Sequence, residues 1–201
     1  MKSLTPQLYN RLCDVIENNI LPLTSQMTLL GNKVFGAAVL LKKDLSLVLA
    51  STNHEAFSPL WHGEVYCIKQ FFEKQGHPDP KDCIFLATHE PCCMCTSSIA
   101  WSGFDEVYYL FGYESTGNDF NIPHDQKMIR DIFGCKEPNH DNSYFKMYNM
   151  VNEVNKFNEE EKKKALDRYE KIRKEYSIVS EYYQKGEKKM ILKKNKKKIN
   201  I

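Results

Sequence analysis

The stretch Pro91-Cys92-Cys93-Met94-Cys95 places two cysteines three residues apart, directly after a proline. Residues three apart lie on nearly the same side of a helix, so Cys92 and Cys95 can reach one ion while Cys93 points elsewhere. Proline suits the first turn of a helix because its missing N–H leaves no hydrogen bond unmade there. Both thiols would then lie at the positive end of the helix dipole, which favours the thiolate that a metal requires. The stretch therefore predicts part of a metal site at the start of a helix.

A second stretch, His62-Gly63-Glu64, supplies what the first one lacks. His62 would be the third ligand, through a neutral ring nitrogen. Three protein ligands of these types are typical of a catalytic zinc, whose fourth position stays open to water. Glu64 is about 200° from His62 around an ideal helix, so both approach one ion only at a frayed helix start. Such a start is expected here, since Ser58-Pro59 breaks any earlier helix and an apolar stripe begins at Val65.

The length of 201 residues is that of one domain with an appendage, and 42% apolar residues fit a globular protein. No apolar run is long enough to cross a membrane, and no basic and then apolar leader opens the chain. Seven cysteines, an odd number, argue against a secreted disulfide framework. We therefore expect a cytoplasmic protein in which the cysteines outside the motif are small buried residues: Cys13, Cys67, Cys83 and Cys135.

Helical and strand patterns alternate along most of the chain. An N-terminal helix should end at Pro22. Short apolar runs then predict four strands, the first two joined as a hairpin of central strands, at 34–41, 45–50, 83–87 and 106–111. The helix after residue 62 and the cysteine helix lie between them. This order predicts an α/β sandwich that collects ligands at strand ends and helix starts.

The chain after residue 125 has a helical pattern, and its last residues differ in charge from the rest of the chain. The pattern predicts helices over 126–133 and 143–183. Residues 185–201 hold eight Lys and one Glu, a charge of +7 in a chain of net charge +2, so the remainder carries −5. We expect one domain over 1–155, a charged helical extension over 156–184 and a disordered tail over 185–201. Such a tail could contact RNA, anionic lipid or an import receptor, or merely improve solubility.

Two other interpretations of the cysteine motif remain open. A Cys-x-x-Cys behind a strand and at a helix start is also the arrangement of thiol redox proteins, in which Cys92 and Cys95 would form a reversible disulfide. A closed structural zinc site is the other, with His89 or His54 as fourth ligand. The redox interpretation leaves His62 and Glu64 unexplained, and a catalytic zinc explains both stretches together.

The combination of His62-x-Glu64 with Pro91-Cys92-x-x-Cys95 resembles the zinc-dependent cytidine deaminase superfamily. The resemblance covers the chain from about Val34 to Phe111. Within the superfamily, the sequence is most similar to the guanine deaminase and tRNA adenosine deaminase branches, through three short segments: Thr88-His89-Glu90-Pro91-Cys92, Ile99-Ala100-Trp101 and Val107-Tyr108-Tyr109. The implied fold is a three-layer α/β/α sandwich with a mixed central sheet.

The resemblance also assigns roles to residues. It implies that His62, Cys92 and Cys95 hold zinc, that Glu64 moves protons, and that Asn53 contacts the substrate base. For Asn53, the composition of its loop equally suggests turn chemistry. Trp61 and Trp101 are both of a type found more often in the core than at a ligand, and Trp61 is the better candidate for a substrate contact because it adjoins His62.

The activity that the resemblance implies is hydrolytic deamination of a nucleobase or nucleoside, or of adenosine within RNA. Oligomers are common in this family, so the resemblance also implies a homodimer. A zinc-binding module without catalysis is a further alternative. We favour a small substrate because the chain outside the tail is acidic, although Lys42, Lys43 and the tail could attract a polynucleotide. Gly63 stands where the family usually has Ala, and Cys93 where these branches often have Pro or Val. The sequence after Phe111 has no clear match.

Overall fold

The structure, a computed structural model, describes residues 4–113, 124–136 and 138–199, with side chains in 4–113, 127–136 and 138–186. The strands are β1 (Gly36–Leu41), β2 (Leu47–Thr52), β3 (Cys83–His89), β4 (Glu106–Phe111) and β5 (Lys146–Asn149). The helices are α1 (Pro6–Val15), α2 (Leu21–Thr28), α3 (Gly63–Glu73), α4 (Cys93–Trp101), α5 (His124–Phe133), α6 (Met150–Val154) and α7 (Glu159–Ile199).

The strands form one mixed sheet in the order β2-β1-β3-β4-β5. β1 pairs antiparallel with both β2 and β3, whereas β3, β4 and β5 are parallel. The hairpin of β1 and β2 was predicted, but β2 is an edge strand and only half-buried along most of its length. An edge strand can have few polar residues without being central, because the neighbouring helices cover its faces. The carboxyl ends of β3, β4 and β5 lie at one edge of the sheet, where ligands of such folds collect.

Helices cover both faces of the sheet and confirm the predicted three-layer sandwich. Alternate residues of β3 point to opposite faces, as the period of a strand requires. Ile84 and Leu86 face α1, α2, α6 and α7, whereas Phe85 and Ala87 face α3 and α4. All seven residues of β3 are buried, as expected for a strand with both faces covered.

The sequence predicted that the N-terminal helix ends at Pro22. In the structure the chain stays helical beyond this residue. A π-helical turn, Ile16–Ile20, follows α1, and the Leu21 N–H donates to the carbonyl of Ile16. Pro22 lies directly after this turn, in the first turn of α2. Because the hydrogen-bond register changes there, the N–H that proline lacks falls at a position that tolerates its loss. The chain therefore stays helical to Thr28.

The region predicted as one helix over 143–183 contains the fifth strand. This strand, Lys146–Asn149, has only four residues, and its first and last residues are polar, so it shows no clear apolar alternation. They form a strand because β4 offers a parallel partner, in register from Glu106 with Lys146 to Tyr109 with Asn149. Asn149 then caps α6 by accepting from the N–H groups of Val151 and Asn152. Pairing with a distant strand overrode local propensity here.

The long helix α7 packs into the main core. Among its side chains up to residue 186, the apolar ones buried there are Ala165, Ile172, Tyr176, Val179 and Tyr183. Arg168 fixes the helix on α1, with its guanidinium 2.6 Å from Asp14 and also paired with Glu17. The backbone stays helical to Ile199, so most of 185–201 is helix where the sequence suggested disorder. Once α7 is nucleated by packing, its Lys, Glu, Met and Leu residues favour continued helix.

Several single-residue expectations were tested by burial. Cys13, Cys67 and Cys83 are buried as predicted, but Cys135 is exposed. Trp101 was expected in the core and is 92% exposed, because it lies in the last turn of α4 on the side away from the sheet. Among the described residues, we find no helix that combines the length and apolar character needed to cross a bilayer.

Candidate metal centre

The start of α3 presents two of the predicted site residues. His62 is the N-cap of this helix and has an extended backbone, with φ −62° and ψ 158°. Glu64 follows in the first turn and is 4% exposed. The non-helical cap residue lets the two side chains turn toward the same space, which an ideal helix would forbid. The frayed helix start that the sequence required is therefore present.

The start of α4 presents the two cysteines. The helix begins at Cys93, two residues after the proline that was expected to open it, so Cys92 is the N-cap and Pro91 lies outside the helix. Cys92 and Cys95 then occupy the N-cap position and the third helical position, whose side chains approach each other, as in a capping box. Both are buried, whereas Cys93 is half-buried and lies outside the group that could bind a metal.

Three ligand atoms converge from the two helix starts. The sulfur of Cys92 lies 3.6 Å from Nδ1 of His62, and the sulfur of Cys95 lies 3.7 Å from the same nitrogen. The two sulfurs are 3.5 Å apart. Tetrahedral zinc has bonds of about 2.3 Å to sulfur and about 2.0 Å to nitrogen. These bonds place the two sulfurs about 3.8 Å apart and each sulfur about 3.5 Å from the nitrogen. The donor set and its spacing therefore fit zinc.

The electrostatics of this group favour a cation. The hydrogen bond between the sulfurs of Cys92 and Cys95, and a second one with His62, outweigh the effect of burial and lower the pKa of Cys92 to about 4. Burial raises the pKa of Cys95 well above its ordinary value. Burial lowers the pKa of His62, but the hydrogen bond with Cys92 and the charges of Glu64 and Cys92 outweigh it and raise this pKa to about 9. A thiolate at a helix N-terminus thus attracts positive charge.

Glu64 lies beside the ligand atoms without belonging to them. Burial, together with the negative charge of Cys92, raises the pKa of Glu64 to about 7. The charge of His62 and the nearby thiol of Cys95 partly offset this rise of the pKa. A carboxyl group whose pKa lies near neutrality can both accept and deliver a proton, which is the property required of a general acid–base.

The structure offers no fourth protein ligand among the residues it describes. His89 is buried between the rings of Phe35 and Phe111, with Nδ1 3.0 Å from the Thr88 hydroxyl. His54 is stacked on Tyr66, and its Nδ1 bonds the Thr52 carbonyl. A closed structural zinc site with either histidine is therefore disfavoured.

The thiol redox interpretation also finds little support. Thiol–disulfide exchange needs a sulfur that a partner can reach. Cys95 is completely buried and Cys92 is 4% exposed, and their sulfurs share His62 as a third neighbour. The arrangement suits an ion better than a redox partner.

Asn53 was predicted to contact substrate. In the structure, both the oxygen and the nitrogen of its side-chain amide form hydrogen bonds within the protein. Its Oδ1 accepts a hydrogen bond from the N–H of Gly63, and its Nδ2 donates to the Glu55 carboxylate at 2.9 Å. Its side chain is fully buried. Asn53 therefore connects the loop after β2 to the start of α3, and substrate contact stays a prediction.

Trp61 lies on the outer side of the same loop. Its ring is 5.3 Å from that of Tyr66, and the ammonium group of Lys69 lies 5.9 Å from its centre. With Phe57 and His54, these residues form an aromatic cluster next to His62. A substrate contact by Trp61 stays a prediction.

Sequence reasoning missed the residues that hold the turn before Cys92. The hydroxyl of Tyr113 donates to the Pro91 carbonyl at 2.6 Å, and the Tyr113 N–H donates to the Glu90 carboxylate at 3.0 Å. The other oxygen of Glu90 lies 3.0 Å from Nε2 of His140. Only the position of Tyr113, just beyond a strand parallel to β3, could have indicated this role.

Gly63 lies where two parts of the site touch, and this contact yields a stability prediction. A Cβ at residue 63 would lie 2.8 Å from Cα of Gly36 and 3.0 Å from the Phe35 carbonyl oxygen. Backbone atoms cannot rotate away, so Gly63→Ala should lower the free energy of unfolding by about 1–3 kcal/mol. Urea denaturation measures this change.

The control for this substitution is Gly186→Ala in α7. A Cβ there meets nothing within 4 Å, and alanine is the better helix former. We expect the stability of this variant to be unchanged or slightly raised. Equal stability of Gly63→Ala and the unmodified protein would contradict the close approach of Gly63 and Gly36.

Comparison with known proteins agrees with this geometry. Guanine deaminase of Bacillus subtilis (strain 168) is 32% identical over 77 residues, which cover 37% of this chain and 48% of that protein. The chain thus spans about half the length of this curated relative. The X-ray structure of guanine deaminase from Bacillus subtilis has a TM-score of 0.50 at 21% identity and covers 65% of this chain and 80% of its own. This likeness shows a shared fold.

The family comparison covers both helix starts that carry the candidate ligands. Residues 24–111 match the cytidine and deoxycytidylate deaminase zinc-binding region, and this range contains His62, Glu64, Cys92 and Cys95. The site geometry, the shared fold and this match agree with one another: residues 24–111 of this chain are similar to the zinc-binding region of cytidine and deoxycytidylate deaminases.

Proposed function

We propose that the protein is a zinc-dependent hydrolytic deaminase of a nucleobase or nucleoside. His62, Cys92 and Cys95 would hold the zinc ion, and Glu64 would be the catalytic residue. The observation that carries the proposal is a three-ligand group with no fourth protein ligand among the described side chains, and a buried carboxyl group directly beside it. An open coordination position next to a proton carrier is the arrangement of a hydrolytic zinc site.

The overall reaction replaces an amine on a ring carbon by oxygen from water. A C–O bond forms, the C–N bond breaks, and the amine leaves as ammonia. Zinc, when bound, lowers the pKa of water toward neutrality and so supplies a nucleophile. Glu64 would transfer two protons of the water molecule in turn, the first to the ring nitrogen when the C–O bond forms and the second to the amine when the C–N bond breaks. Its burial keeps competing solvent away from these protons.

The helix starts contribute to the same chemistry. The N-termini of α3 and α4 both point at the site, since their cap residues are His62 and Cys92. The partial positive charge of two helix dipoles stabilises negative charge on the thiolates and on oxygen that develops charge in the reaction. The scaffold therefore supports a charged transition state without further side chains.

For the substrate we propose a free base or nucleoside, with guanine as the first to test. The relative that is 32% identical is a guanine deaminase. The chain outside residues 185–201 is acidic, which disfavours a polynucleotide as substrate. Adenosine within RNA is the second candidate, because the C-terminal segment 185–201 is strongly basic.

The test combines zinc analysis with ammonia release from guanine, adenine, cytosine and their nucleosides. We expect one zinc per chain and ammonia from one of these compounds. One zinc with no ammonia from any of them would contradict the small-molecule proposal and favour RNA. Absence of zinc together with a reducible disulfide between Cys92 and Cys95 would instead support the redox alternative.

Removal of residues 185–201 tests the second candidate. Tyr183 is the last side chain of α7 described as buried, so a chain ending at Gln184 should keep its packing. If the substrate is a small molecule, we expect unchanged turnover and unchanged zinc content. Filter binding to RNA at several salt concentrations shows whether the segment binds phosphate, because loss of Lys contacts reduces the salt dependence.

The matched control for this truncation keeps the length of the chain and replaces the eight Lys of the segment by Gln. Loss of turnover on a base after truncation, but not after this replacement, would assign the segment a structural role. Loss of turnover on RNA after both changes would favour the RNA candidate.

Two further expectations belong to the proposal. We propose a cytoplasmic protein that forms a homodimer. Cell fractionation tests the first, and light scattering of the full chain tests the second. A scattering mass equal to one chain would contradict the dimer.

A further inference from the structure

Glu55 lies in the loop between β2 and α3 and faces the back of His62. Its Oε1 lies 3.5 Å from Nε2 of His62 and 2.7 Å from Nζ of Lys33. Its Oε2 accepts from Nδ2 of Asn53 at 2.9 Å and from the backbone N–H of Lys33 at 3.3 Å. Its side chain is only 15% exposed. Lys33 and Asn53 therefore hold the carboxylate of Glu55 so that it faces His62.

The two nitrogens of His62 have different surroundings. Nδ1 faces the sulfurs of Cys92 and Cys95, at 3.6 Å and 3.7 Å, so it is the nitrogen that a metal would bind. A neutral histidine that binds a metal through Nδ1 carries its hydrogen on Nε2. That hydrogen points to the side where Glu55 lies. At 3.5 Å the contact is longer than a well-formed hydrogen bond, so the attraction at this geometry is electrostatic.

Asn53 connects this carboxylate to the backbone on the other side of His62. Its Nδ2 donates to Glu55, and its Oδ1 accepts the N–H of Gly63, the residue after His62. The ring of His62 and the backbone that follows it are thus attached to one network. The charge of Lys33 compensates that of Glu55, so a half-buried carboxylate is tolerated there.

We propose that Glu55 is the positioning residue for His62. It stabilises the form of the ring that has hydrogen on Nε2, and thereby keeps the lone pair of Nδ1 directed at the metal. Glu55 is not a ligand, since it lies outside the group of converging atoms. Partners of this kind commonly orient metal-binding histidines and raise their basicity. The inference rests on the proposed role of His62 as a ligand and not on the reaction.

The test compares Glu55→Gln with Glu17→Gln. Glu17 is the matched control because its side chain is 13% exposed and pairs with two basic residues, Arg168 and Lys171, away from the site. Zinc affinity is measured by competition with a chromophoric chelator on the full chain. We expect Glu55→Gln to weaken zinc binding by about 10- to 100-fold, the usual cost of losing such a partner. Glu17→Gln should leave zinc affinity unchanged.

A second readout separates positioning from a general loss of structure. Nitrogen-15 NMR of the histidine rings in the zinc-loaded protein reports which nitrogen of His62 carries hydrogen. We expect hydrogen on Nε2 in the unmodified protein, a shift of this signal in Glu55→Gln, and no shift in Glu17→Gln.

The outcomes distinguish the possible failures. Zinc binding by Glu55→Gln as tight as in the unmodified protein would overturn the inference, as would hydrogen on Nδ1 of His62 in the zinc-loaded unmodified protein. The latter measurement needs no variant, so it decides the question even if Glu55→Gln does not fold. Failure of the unmodified protein to bind zinc would instead contradict the proposed ligands.

Discussion

Replacement of Glu64 by Gln is expected to reduce deamination by about 10²- to 10⁴-fold, the usual contribution of a general acid–base. The amide has nearly the same shape as the carboxyl group but can neither accept nor deliver the proton. Glu64 lies outside the three converging ligand atoms, so zinc should be retained. Ammonia release from the substrate identified in the panel, together with zinc analysis, measures both effects.

The control for this variant is Glu73→Gln, at the other end of α3. Glu73 is 61% exposed and pairs only on the surface, with Lys69. We expect full activity from it. Full activity of Glu64→Gln would show that Glu64 does not transfer protons in the reaction. An inactive variant that has also lost zinc would show instead that Glu64 is needed to keep the zinc site intact.

Replacement of Cys95 by Ala is expected to abolish stoichiometric zinc binding. Cys95 is completely buried, and its sulfur lies within 3.7 Å of both other ligand atoms. Its removal leaves two ligands, too few for a tetrahedral protein site. Because a metal stabilises the fold to which it binds, the unmodified protein should gain about 4 kcal/mol at zinc concentrations 1,000-fold above its Kd. The variant should lose this gain.

Metal analysis after dialysis and thermal unfolding with and without zinc measure these changes. The matched control is Cys93→Ser, two residues away in the same helix and outside the converging group. This variant should keep one zinc and the full stabilisation. Equal zinc content in Cys95→Ala and Cys93→Ser would refute Cys95 as a ligand.

The metal centre could be predicted because its chemistry is local in sequence. Cys92 and Cys95 lie in one turn, and His62 and Glu64 in another, so spacing alone shows which atoms can converge within each stretch. The identities of the residues then limit the ion, since two thiols and an imidazole suit zinc. The alternation of strands and helices likewise gave the layers of the sandwich.

Other features depend on contacts that no local pattern reveals. Lys146–Asn149 became a strand only through pairing with β4, and Pro22 was accommodated by a π-helical turn. Glu55 belongs to none of the sequence motifs considered above. Its proposed role in positioning His62 follows only from its place near Nε2 of that residue. The requirement for glycine at residue 63 comes from the backbone of Gly36, which lies across the site.

By itself, the sequence determined the donor set, the order of the elements from β1 to β4 and the charge separation between the body and the C-terminal segment. These properties reside in residue type and spacing along the chain. Only the tertiary structure decided that three donor atoms meet within 3.7 Å and that the described residues add no fourth. It also decided which carboxylate faces the back of His62. Distances between separate helix starts are set by how α3 and α4 pack on one sheet, and that packing is a property of the whole core.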